Sequence, residues 1–97
     1  NSVSTKLTRY LLYLYSETGN HQVDLRMNRT ELSNFLGVYR TSLSRELKHM
    51  EQRGIIRCRQ RILRILDLQA LIEIENQSYE PDQEPGSGKR ENGANGF

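Results

Sequence analysis

Ninety-seven residues make one small domain at most, since a chain this short buries too little surface to build two cores. The chain is 27% charged and 35% apolar, and its longest apolar run, Tyr10 to Tyr15, is far short of the roughly 20 residues that a membrane-spanning helix needs. A single cysteine, Cys58, excludes an internal disulfide, and His21 and His49 stand too far apart to seed a zinc finger.

The opening Asn1-Ser2-Val3 lacks an initiator Met, a basic segment before an apolar stretch and a small-residue cleavage site. The expectation is a fragment of a longer cytoplasmic protein, its two glycosylation sequons at Asn28 and Asn76 unmodified. The net charge of +2 conceals an asymmetry. Residues 1 to 25 balance, the stretch from Arg26 to Arg64 carries ten basic residues against three acidic ones, and residues 65 to 97 carry two against seven. A basic centre followed by an acidic end points to a polyanion partner.

Ser4 or Thr5 is positioned to cap a first helix, whose apolar residues Leu7, Tyr10, Leu11, Leu14 and Tyr15 recur at spacings of three and four. Gly19-Asn20 should stop it. From His21 to Met27 polar and apolar residues alternate, the period of a short half-buried strand. Asn28-Arg29-Thr30-Glu31 then reads as a capping box opening a helix with apolar Leu32, Phe35 and Leu36, which Gly37 ends.

After the turn Gly37-Val38-Tyr39, a helix from about Arg40 to Arg53 carries Leu43, Leu47 and Met50 on one stripe and Thr41, Arg45, Lys48 and Gln52 on the opposite one. Gly54 closes it. Ile55 to Cys58 and Arg61 to Leu66 suggest a hairpin with a basic tip about an Arg59-Gln60 turn. Asp67 can cap a last short helix through Leu68, Leu71, Ile72 and Ile74. Residues 1 to 75 are thus expected to form one domain, and 76 to 97, with two Pro and four Gly, a disordered acidic tail.

Helix, short turn and helix form a helix-turn-helix when a small residue sits at the crossing, a Gly at the turn and an apolar plug in the second helix, and Ser33, Gly37 and Leu43 meet those needs. The basic hairpin that follows makes the fold class mainly α with a small β wing, a winged helix-turn-helix. The segments Asn28-Arg29-Thr30-Glu31-Leu32, Leu36-Gly37, Arg40-Thr41-Ser42-Leu43-Ser44-Arg45-Glu46-Leu47, Gly54-Ile55-Ile56 and Ile65-Leu66-Asp67 carry a resemblance to a known family. From about Thr5 to Ile74 the chain resembles the carboxy-terminal DNA-binding domain of the Crp/Fnr superfamily of bacterial transcription regulators, the family of the cyclic AMP receptor protein.

The resemblance implies that Arg40, Thr41, Ser44 and Arg45 face base edges in the major groove, arginine being suited by a planar fork that donates two hydrogen bonds to guanine. It also implies that Asn28, Thr30, Tyr39, Ser42 and Lys48, with Arg59 and Arg61 at the wing, meet the DNA backbone. In that family an amino-terminal sensor domain, binding a cyclic nucleotide or another effector, and a long dimerisation helix precede this domain. The implied full-length protein is a homodimer on double-stranded DNA, with RNA polymerase a candidate partner, while the chain itself is expected to be a monomer without a cofactor.

Two positions depart from the family pattern. Many members have Glu where Thr41 stands, so Thr41 cannot offer a charged acceptor to a cytosine amino group, and Tyr39 replaces a small helix-capping residue. An enzyme is not expected, because no nucleophile and base share a helix or turn spacing and no glycine loop cradles phosphate. The rival reading is a winged helix used for protein contact alone, which would call for apolar anchors on the free face of the second helix. RNA binding would call for an aromatic stacking platform.

Overall fold

The structure, a computed structural model, describes residues 2–78, so the acidic segment from 79 to 97 lies outside the described residues. In chain order the elements are α1 (Val3–Thr18), β1 (Gln22–Asp24), α2 (Arg29–Leu36), α3 (Arg40–Gln52), β2 (Ile56–Arg59), β3 (Ile62–Ile65) and α4 (Leu68–Ser78). Four helices and one small antiparallel sheet bear out the expected winged helix-turn-helix.

The periodic apolar positions find one another in a single core. Leu7, Leu11 and Leu14 of α1 close on Leu32 of α2, on Leu43, Leu47 and Met50 of α3, and on Val23, Ile56, Leu63 and Ile65 of the sheet. α1 begins earlier than expected: Ser2 is the cap, accepting from the Thr5 amide at 3.1 Å, while Thr5 itself is buried on the inner face. Phe35 departs from its stripe. It is 63% exposed, its ring tilted against Tyr10 at 5.5 Å, because the core side of the short α2 is filled by Leu32 and Ser33.

The sheet has the order β1-β3-β2. β1 pairs Val23 with Leu63, β2 pairs Ile56 with Ile65, and these inward residues alternate with outward Gln22, Arg64 and Arg57, which share one row across the three strands. β1 is shorter than the alternation from His21 to Met27 implied. Arg26 adopts φ +71, its amide donating to Asp24 Oδ1 at 2.8 Å, and this left-handed residue turns the chain out of the sheet just after Leu25. The hairpin loop is Gln60-Arg61 rather than Arg59-Gln60, since Arg59 still pairs with Ile62 and Gln60 takes φ +56.

α4 starts as expected, with the Ala70 amide donating to Asp67 Oδ1 at 3.1 Å, and Leu71 is buried. The helix runs to Ser78, past the residue at which the tail was expected to begin. It lies along α1, where Arg9 and Glu75 meet at 3.1 Å.

Candidate nucleic-acid interface

The α2-turn-α3 unit is set by local chemistry. Asn28 Oδ1 accepts from the Glu31 amide at 2.8 Å and Glu31 Oε1 accepts from the Asn28 amide at 3.0 Å, so both halves of the capping box form and fix the start of α2. Gly37 stops the helix at φ +73, and the next amide, on Val38, returns to the Ser33 carbonyl at 2.9 Å. Ser33 is buried, its hydroxyl donating to the Thr30 carbonyl at 2.8 Å, so a small, internally satisfied side chain occupies the position expected at the helix crossing.

α3 begins at Arg40 with Tyr39 as its cap residue. Tyr39 makes no side-chain cap bond and is 82% exposed, as its size at a position suited to a small residue would require. Leu43, Leu47 and Met50 hold the helix on the core. The side chains of Arg40, Thr41, Ser44, Arg45 and Lys48 stand in solvent, and Ser42 is half-buried. Asn28 and Thr30, at the start of α2, are exposed as well, as are Arg59 and Arg61 at the wing.

Two contacts fix the wing beside the helix pair, and neither shows in the periodicity of the sequence. Arg29, in the first turn of α2, donates from Nη1 to the Gln60 carbonyl at 3.0 Å and from Nη2 to Cys58 Sγ at 3.2 Å. Glu51, in the last turn of α3, accepts the Cys58 amide at 2.9 Å and so satisfies a donor on the edge strand β2. The loop is also tied to the other side, the Leu25 amide donating to the Arg61 carbonyl at 2.7 Å. Burial pushes the Cys58 thiol above the ordinary cysteine range, with the Arg29 charge pulling the other way.

Charge is sorted across the molecule. On the α1 side Arg9 is paired with Glu75 and Arg26 with Glu17. Glu17 also accepts from the Tyr13 hydroxyl; that bond, and then the one from Arg26, hold its carboxyl below the usual glutamate range. On α3 and the wing the pattern reverses. Among the described residues, Arg40, Arg45, Lys48, Arg53, Arg57, Arg59, Arg61 and Arg64 have no carboxylate partner.

These elements are shared with known proteins. Residues 5–74 match the Crp-like helix-turn-helix domain. The chain belongs to this family. It is 36% identical over 66 residues to the transcriptional regulatory protein btr of Bordetella pertussis, a match that takes in 68% of this chain and 26% of that protein. The imidazole-bound CO-dependent transcription factor CooA of Carboxydothermus hydrogenoformans superposes with a TM-score of 0.68 at 28% identity, over 74% of this chain and 36% of that one. A Crp/Fnr-family transcriptional regulator of Eubacterium rectale shares the fold with a TM-score of 0.68 at 21% identity, over 78% of this chain and 34% of that one. The chain thus spans about a quarter to a third of the length of these three relatives, each described as a transcription regulator or transcription factor. No helix among the described residues is long and apolar enough to cross a membrane.

Proposed function

We propose that the chain binds double-stranded DNA sequence-specifically, with α3 in the major groove and the wing on the sugar-phosphate backbone. The observation that carries this reading is that Arg40, Arg45 and Lys48 of α3 and Arg59 and Arg61 of the wing have no carboxylate partner among the described residues, while Arg9 and Arg26 on the α1 side are paired. Unpaired, clustered arginine is the footprint of a polyanion partner. In this reading Arg40, Thr41, Ser44 and Arg45 meet base edges, and Asn28, Thr30, Tyr39, Ser42, Lys48, Arg59 and Arg61 meet phosphate and sugar. The free face of α3 offers no apolar anchor of the kind that a protein-only docking helix needs.

Within a full-length regulator the domain would be one of a symmetric pair, each reading one of two half-sites about one helical turn apart. A sensor domain responsive to a cyclic nucleotide or another effector would control that pairing, and contact with RNA polymerase would pass the signal to transcription. The chain alone is then a monomer with weak affinity, because the inner stripes of α1 and α3 are consumed by one core, with Phe35 of α2 left at the surface. Selection of duplexes from a random pool, followed by a salt titration, tests the reading. The expected result is a recovered consensus whose binding weakens steeply with salt; recovery of no sequence preference would overturn it.

A further inference from the structure

Resting on this DNA reading, we propose that the solvent face of the three-stranded sheet is a second backbone-binding surface, which takes the phosphates of the duplex flanking the stretch read by α3. The register sets Arg57 of β2 directly opposite Arg64 of β3, and both side chains point to solvent. Like charges facing each other across a strand pair are unfavourable, and among the described residues neither arginine forms an ion pair that would relieve them. Arg64 reaches only the neutral Gln22 Oε1, at 3.4 Å. Asp24, on the same face in the next row, and Glu51, beside Cys58, keep their charge, but each accepts a backbone amide, of Arg26 and of Cys58, and neither forms an ion pair with Arg57 or Arg64.

Protection of a sheet edge does not account for the pair. Charge on β2 blocks strand-to-strand association, because β2 is an edge, and the same reason would cover Arg57 and Arg59. Arg64 is on β3, the central strand, where no edge needs blocking. The repelling pair is explained by an external anion that neutralises both guanidinium groups.

The geometry selects DNA as the source of that anion. Arg59, beside the wing loop, and Arg57 are two residues apart on the same strand, about 6.6 Å at the usual rise. Phosphates that follow one another along one DNA strand rise by about 3.4 Å of helix axis but, because the strand winds around that axis, lie about 6 to 7 Å apart through space, so the two arginines match successive phosphates. Arg61, Arg59, Arg57 and Arg64 therefore form a basic track that runs from the loop onto the sheet face, without a carboxylate partner along it.

The test uses the whole 97-residue chain and a duplex recovered from the random pool in two lengths, one trimmed to the selected site and one extended by about ten base pairs on each side. The wild-type chain is expected to prefer the extended duplex, and that preference should shrink roughly tenfold between 50 and 200 mM salt, the mark of about two phosphate contacts. R57Q/R64Q should abolish the preference and leave the trimmed duplex bound as before, with thermal stability undiminished; R57K/R64K should retain it, since a phosphate accepts either cation. An R57Q/R64Q chain that still prefers the extended duplex, or that loses affinity equally for both lengths, would overturn the second surface and assign this face to an acidic protein partner or to structure. A wild-type chain that holds neither duplex would overturn the DNA reading itself.

Discussion

Arg29 in α2 and Gln60 in the wing loop, 31 residues apart in the chain, are joined by a 3.0 Å hydrogen bond from guanidinium to carbonyl. The same guanidinium reaches Cys58, so one side chain holds the hairpin against the start of α2 while Gln60 keeps its left-handed backbone. Arg29 is by this geometry a positioning residue for the wing.

Arg29→Ala is therefore expected to free the loop. One lost bond is exposed and the other half-buried; together they are worth about 1 kcal/mol, which in a domain of this size lowers Tm by about 4 to 8 °C. Hydrogen exchange at the Gln60 and Arg61 amides should accelerate well beyond that of the α3 amides. Equal acceleration in both places would show that Arg29 supports the whole domain rather than the wing.

The helices were legible in the sequence because their punctuation is local. Asn28 and Glu31 form the box their spacing implied, Gly19 and Gly37 take φ +73, and Leu43, Leu47 and Met50 are buried on the stripe drawn at 100 degrees per residue. The placement of the wing was not legible. Arg29 reads as a helix-surface residue and Glu51 as a last-turn carboxylate, and only the folded chain brings them to Gln60 and Cys58. The loop was misplaced by one residue because no glycine marks it: a glutamine adopts the positive φ that a tight hairpin turn demands. The basic pair on the sheet face was hidden by the same shift, since a loop at Arg59-Gln60 would set Arg57 opposite Ile62, whereas the loop at Gln60-Arg61 sets it opposite Arg64.

Leu47→Ala tests the packing beneath the exposed face of α3. Leu47 is 4% exposed and points into the core, so the truncation should cost about 2 to 5 kcal/mol by leaving a cavity. Denaturant titration would show the midpoint falling with the slope unchanged. A loss under 1 kcal/mol would mean that α3 is held chiefly by its neighbours in the chain.

Glu17 gives an acid-side prediction. Its carboxyl is held low by the bonds from Tyr13 and Arg26, so its folded value lies below its unfolded one. The stabilisation is thus complete above the ordinary glutamate range and is lost as the pH falls through the depressed folded value. Glu17→Gln should flatten the fall in thermal stability between about pH 6 and pH 3. Wild-type and variant melting curves that fall in parallel across this window would contradict the assignment.

The reading of base sequence rests on the exposed face of α3 and is the most exacting test of the proposed function. If Arg45 makes a bidentate contact with guanine, Arg45→Ala should cost roughly 1 to 3 kcal/mol on the selected site and relax preference at one base pair. Arg59→Ala, on the wing, should instead weaken all duplexes alike and lower the salt dependence by about one phosphate. Both side chains are solvent-exposed and neither touches the Leu43, Leu47, Met50 stripe, so the fold should survive each change. Thr41→Glu should shift preference toward a half-site containing cytosine, because a carboxylate at the second residue of α3 accepts from the cytosine amino group where a hydroxyl offers a weaker bond. Each variant is titrated against a panel of single-base changes in the selected duplex at two salt concentrations. An Arg45→Ala chain that loses affinity equally for every member of the panel would make Arg45 a phosphate contact and remove base reading from the centre of α3.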